Sequence, residues 1–290
     1  MAIVTSTQTS VPAYFSTNAD FQGWYGAIGA ACDACGWTKT SDTGQISGSA
    51  AKPGADNTIV GYEIRKNAAG TCYIKLEYGS ANTNAAHPGL RAAVGFGSNG
   101  SGSLTDNKSG ASASFITYST WVSSGNTLTI KASGDGNGLW LAPDVRPTEP
   151  TDGSFLAVEH PIDGAGVPQT DAIVAINGSV SSSVLVGQVV PQAGTVPAVS
   201  YVSGAFFTSQ VAGDTVDGLD VGLWPGTVVV NSDVLATRLM MYRKADLDSA
   251  LSTIDVSLLG GTAKYLLLGG HSYAGASPYN VNKFAFPWAA

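Results

Sequence analysis

Apolar residues near the start of the chain recur at one period, and the period changes at Gly36. Within residues 21–35 they stand at Phe21, Trp24, Tyr25, Ile28, Ala31, Cys32 and Cys35, three or four apart, the spacing of one face of an α-helix. Asn18 or Asp20 is placed to cap its start by accepting from the free amides of the first turn. Gly36 is placed to end it in the left-handed conformation that glycine adopts without strain. Gly23, Gly26 and Gly29 recur at three-residue intervals, and each weakens an isolated helix by up to about 1 kcal/mol relative to alanine. The pattern predicts a helix that needs a packing partner. Its three glycines mark it as an assembly helix, open to close approach by a sheet or a neighbouring subunit.

After Gly36 the period becomes that of strands. Predicted strands are 36–40, 57–66, 72–78, 90–97, 115–121, 126–133 and 138–142, followed by 156–160 and 172–177. Tyr62 and Ile64 are expected on one face of their strand, with Glu63 and Arg65 on the other. Tyr73, Ile74, Leu76 and Tyr78 are interleaved with Lys75 and Glu77. Turn signals at 67–70, 98–100, 124–126 and 134–138 separate these runs. Many short strands at this spacing predict a mainly β protein. We expect an antiparallel, jelly-roll-like β-sandwich with one N-terminal helix over residues 1–150.

Residues 142–153 hold Pro143, Pro147 and Pro150 without periodicity. They read as a linker or as a long connection across one sandwich. A second β-rich domain is expected over 151–290, with strands at 183–190, 199–208, 227–230, 236–243 and 264–268. Residues 246–259 mix helix and strand signals. A final strand is expected within 282–290, where Phe284, Phe286 and Trp288 alternate.

Only 12% of residues are charged and 44% are hydrophobic; the charged share is about half the usual one. A surface so poor in charge suits a subunit that lives inside an assembly. The net charge of −7 and pI of about 4.8 argue against a nucleic-acid partner, which needs a phosphate-neutralising surface. The longest cationic runs, Arg65-Lys66 and Arg243-Lys244, read as solvated strand faces. Residues 1–14 lack the basic and apolar regions of a secretory signal. No window approaches the roughly 18 apolar residues that span a bilayer, so neither export by the general route nor a membrane partner is expected.

The candidate chemistry is sparse. Cys32 and Cys35 have the spacing of a redox or metal pair, and Cys72 and His87 could extend it to zinc. Both also fit the apolar helix face, where free cysteine behaves as a small hydrophobe, and core packing is the expected role. His87, His160 and His271 stand beside turn residues, without a nucleophile elbow or a Walker loop. Gly95-Phe96-Gly97-Ser98-Asn99-Gly100 matches a dinucleotide-binding string, but it joins strands and is followed by serine and glycine rather than by a helix, so a hairpin is expected. Asp214, Asp217 and Asp220 share a Gly-rich loop, 211–220, that could hold Ca²⁺ or build a carboxylate pair. Trp224, between Leu223 and Pro225, is expected on a loop as an interface or ligand-binding aromatic. No cofactor, metal or catalytic residue is expected.

Three segments carry a resemblance: the helix running into residues 36–46 (Gly-Trp-Thr-Lys-Thr-Ser-Asp-Thr-Gly-Gln-Ile), Gly61-Tyr62-Glu63-Ile64 with residues 73–79, and residues 93–105. In that order and spacing they resemble a family of tailed-bacteriophage virion proteins encoded among tail and baseplate genes. The resemblance covers about residues 15–160, with looser echoes at 239–242 and 265–269. It implies a non-enzymatic structural part of a tail, baseplate, collar or fibre, located in the virion. Its partners would be copies of itself and neighbouring virion proteins. An alternative is a module on the same particle that recognises a host receptor or surface glycan; a depolymerase is a third, less supported by the residues.

Overall fold

The structure is a computed structural model describing residues 4–81, 84–106, 115–117, 125–145, 154–179, 185–191, 222–230, 233–243, 253–258, 261–268 and 283–289. In chain order its elements are β1 (Thr5–Pro12), α1 (Asn18–Ala34), β2 (Thr38–Lys39), β3 (Ile59–Lys66), β4 (Tyr73–Ala81), β5 (Asn84–Gly95), β6 (Gly97–Ser98), β7 (Leu104–Thr105), β8 (Phe115–Thr117), β9 (Thr127–Asp135), β10 (Gly138–Val145), β11 (Ser154–Glu159), β12 (Ala172–Ser179), β13 (Leu185–Pro191), β14 (Gly222–Val230), β15 (Asp233–Arg243), β16 (Thr253–Leu258), β17 (Gly261–Leu268) and β18 (Lys283–Trp288). The protein is mainly β, with a single helix among the described residues. That helix is not long and apolar enough to cross a membrane.

The first element is a strand, not the expected helix. β1 reads Thr-Ser-Thr-Gln-Thr-Ser-Val-Pro, with no apolar alternation to announce it. It exists by pairing with β9, far along the chain. The helix follows as expected, but its cap is Thr17 rather than Asn18 or Asp20. The Thr17 hydroxyl accepts from the Asp20 amide at 3.3 Å, and the Asp20 carboxylate accepts from the Thr17 amide at 2.7 Å, a reciprocal capping box. Asn18 instead accepts from the Lys52 amide. At the far end Gly36 has φ +81°, and the Gly36 and Trp37 amides donate to the Asp33 and Cys32 carbonyls.

Every strand pairing among the described residues is antiparallel. A six-stranded sheet runs β1-β9-β10-β11-β12-β13. A second sheet runs β2-β3-β4-β5-β8, a third β14-β15-β18-β17-β16, and β6 pairs with β7. The six-stranded sheet is the middle layer, because its central strands β10 to β12 are buried on both faces. Leu139, Leu141, Leu156, Val158 and Ile173 point into a core shared with α1 and with β4 and β5. Their neighbours Trp140, Ala142, Phe155 and Ala157 point the other way, onto Leu239, Leu266 and Phe286 of the third sheet. Strands buried on both faces lose the polar alternation of a one-sided sheet, which is why β10 to β12 read as short apolar runs.

The boundary expected at residue 150 falls between β10 and β11, which are paired neighbours. The helix packs its apolar face into the first core. Phe15 and Phe21 meet edge to face at 5.1 Å between ring centres, as do Trp24 and Tyr78 at 5.7 Å. Cys32, Cys35 and Cys72 are free and lie in the same core.

Candidate functional site

The sequence-predicted site residues are not gathered in one place. Asp214, Asp217 and Asp220 lie outside the described residues, as do the strand expected at 199–208 and His271. Trp224 is in strand β14, opposite Met241, and not on a loop; Pro225 is accommodated where that ladder shifts register. The Arg243 side chain and Lys244 are likewise outside the description. The three helix glycines divide, because a three-residue step turns a helix by about 300° and so drifts around its surface. Gly23 and Gly26 are exposed, and a Cβ at either would meet nothing within 4 Å among the described residues. Gly29 is buried, and a Cβ there would lie 2.8 Å from the Arg65 guanidinium and 3.3 Å from the Glu63 carboxylate.

That contact corrects the reading of Arg65 as part of a solvated face. Arg65 is 2% exposed and Glu63 6%, because α1 lies across them where Gly29 leaves room. The Arg65 guanidinium bridges Glu63 at 3.0 Å and Asp33 at 2.7 Å, and donates to the Trp37 carbonyl. Glu63 also accepts from Lys39 and from the Tyr78 hydroxyl. Burial, with Glu63 beside it, pushes the Tyr78 phenol well above its ordinary value, so it stays protonated and donates. Burial likewise pushes the Cys32 and Cys35 thiols up to about 12. Neither supplies a thiolate near neutral pH, so neither is poised as a nucleophile.

A second cluster draws together the three segments that carry the resemblance. The Asp42 carboxylate accepts from the Thr40 hydroxyl at 2.6 Å, the Ser98 hydroxyl at 2.8 Å and the Gly102 amide at 3.1 Å. Thr43 and Gly100 are bonded through backbone, as are Ile46 and Tyr62. The Tyr62 hydroxyl donates to the Thr43 carbonyl. Gly102 has φ +95°, and a Cβ there would strike the Tyr62 hydroxyl. Burial alone would raise the Asp42 carboxyl, but these donors outweigh it and hold its pKa below the ordinary value. The dinucleotide-like string 95–100 is part of this arrangement, with Gly97 and Ser98 in the β6–β7 hairpin as expected.

A third cluster joins the middle and third sheets. Arg238 of β15 bridges Asp135 at the β9–β10 turn and Glu159 at the end of β11, and stacks over Trp140 at 4.5 Å. Glu159 also accepts from the Arg238 and Leu239 amides. Burial would lower the Arg238 pKa, but the two carboxylates raise it, and it stays charged. Beside them His160 is fully buried. Its Nδ1 donates to the Ala172 carbonyl at 2.7 Å, which leaves Nε2 to accept from the Thr71 hydroxyl at 2.9 Å. Burial lowers its pKa, keeping the ring neutral. A hydrolytic histidine is oriented by a carboxylate and faces substrate; His160 is oriented by a backbone carbonyl and faces the interior.

The sequence named the segments of the second cluster but not Asp42 as its hub, and it did not find Arg238 with Asp135 and Glu159. Asp135 carried a signal in its turn, Gly134-Asp135-Gly136-Asn137-Gly138. The pairing of Arg238 with residues 79 and 103 positions away carried none. Among the described residues no three His, Cys, Asp or Glu side chains are grouped to hold a metal ion. No family model matches the chain, and neither does any curated protein or solved structure.

Proposed function

We propose that the chain is a non-enzymatic structural component of a tailed-phage virion, built into a tail, baseplate, collar or fibre substructure. The observation that carries this reading is the Asp42 cluster. The segments that resemble phage virion proteins spend their polar groups on one another, tying the 36–46 stretch to β3 and to the 95–105 hairpin. Such bonds make a rigid frame and fill that carboxylate's acceptor sites with the chain's own donors. The low charge of the chain suits permanent contact with neighbours. Gly23 and Gly26 add to this support: they weaken the helix, and a Cβ at either would meet nothing within 4 Å among the described residues, which fits a face kept smooth for a neighbouring subunit. The partners are then copies of the chain and adjoining virion proteins.

Labelling of parent particles with an antibody to the chain, viewed by electron microscopy, tests this. Decoration at one fixed place on the particle is expected. Undecorated particles that infect normally would sink the proposal.

A further inference from the structure

β1 is the edge of the middle sheet, and among the described residues it is bonded along one side only. Which backbone groups face outward follows from the ladder. Pro12 stands opposite Thr127, and the next residue, Ala13, donates to the Asn126 carbonyl. Bonded and non-bonded pairs alternate along an antiparallel ladder. Val11, Thr9, Thr7 and Thr5 therefore bond β9, while the N–H and C=O groups of Ser6, Gln8 and Ser10 point away from the sheet.

Edge strands are normally blunted with charge, proline or a bulge. β1 has no charged residue, its register with β9 is unbroken, and its one proline is its last residue. Its sequence is also symmetric about Gln8: Thr7 and Thr9 flank it, then Ser6 and Ser10.

We propose that β1 is a self-pairing edge, joining the middle sheets of two copies across a two-fold axis through Gln8. With β1 antiparallel to itself, Gln8 faces Gln8 of the second copy, and each exchanges both outward backbone bonds with the other. Ser6 faces Ser10, again as a bonded pair. Thr7 faces Thr9 in the closer non-bonded pairs, where threonines pack well across strands. Pro12, which has no N–H, ends the ladder. The surface is self-complementary, as a two-fold contact requires. The inference deepens the assembly reading and rests on it for the choice of a second copy as partner.

Sedimentation of the purified full chain over a concentration series tests it, together with two variants. The wild type is expected to form a dimer. Gln8→Pro removes an outward N–H, no backbone bond to β9 and one exposed side-chain bond, in which the Lys131 ammonium donates to Gln8 Oε1 at 3.1 Å, so the dimer is lost while the thermal transition of the monomer stays close to that of the wild type. Gln8→Cys is expected to cross-link on mild oxidation, since facing Cα atoms in a bonded pair lie about 5.5 Å apart. Thr7→Cys is not, because its symmetry mate is about 7–8 Å away on the diagonal. The three native cysteines are buried and do not compete. A monomer at all concentrations, a dimer that survives Gln8→Pro, or cross-linking of Thr7→Cys but not Gln8→Cys would overturn the proposal. If Gln8→Pro does not fold, the cross-linking pair decides. A monomeric chain still found in particles defeats this edge alone; a dimer of a chain absent from particles defeats the virion reading alone.

Discussion

Trp37 shows how much one residue of the 36–46 segment holds. Its ring is fully buried, and its indole N–H donates to both the Asp135 and Gly138 carbonyls, at 3.1 and 3.2 Å. It therefore ties the end of α1 to the β9–β10 turn, which presents Asp135 to Arg238. Trp37→Ala removes a large core side chain and the N–H that those carbonyls accept from. It should cost about 3–5 kcal/mol, read as a lower denaturation midpoint. Asp42 is the polar counterpart. Its folded pKa lies below its unfolded value, so its contribution is complete above the ordinary carboxylate value of about 3.9 and is lost as pH falls through the folded pKa. Asp42→Asn should be less stable than wild type at neutral pH. The gap should close in acid below about pH 4, as followed by urea unfolding across pH. A gap that stayed constant would mean that the carboxylate is not ionised in the fold.

At the scale of elements, α1 is where the sequence was most readable. Its apolar spacing, its terminating Gly36 and the burial of Cys32 and Cys35 were all legible, because a helix face is a local property. The cap was misplaced, by one residue for Asn18 and by three for Asp20, because Thr17 is the cap and Asp20 serves as its reciprocal partner. β1 was missed because an edge strand of threonine and serine carries no pattern of its own. Arg65 was misplaced because strand alternation predicts a face but not what lies over it. Gly29 is what allows the helix to lie there. Gly29→Ala should therefore destabilise the protein by about 1–3 kcal/mol through overpacking against Arg65. Gly26→Ala, facing open space, should stabilise it by up to about 1 kcal/mol. Thermal melts of the two single variants make the comparison; equal shifts of the same sign would contradict it.

At the scale of the whole molecule, the middle sheet is the organising layer, and Arg238 fastens the third sheet to it. That linkage could not be read from the sequence, since nothing near Arg238 points to Asp135 or Glu159. Arg238→Met should cost about 3–5 kcal/mol, because it strands two buried carboxylates. The loss should be smaller when Asp135 and Glu159 are neutralised together with it. A small effect of Arg238→Met alone would mean that the sheets are held by apolar packing and not by this cluster.

The most direct test of the central claim, that this chain is a building block of a particle, is quantitative mass spectrometry of gradient-purified virions from the parent phage. The chain is expected in fixed ratio to other virion proteins, retained through repeated banding. Its absence from banded particles, with the chain recovered free in the lysate, would contradict the account.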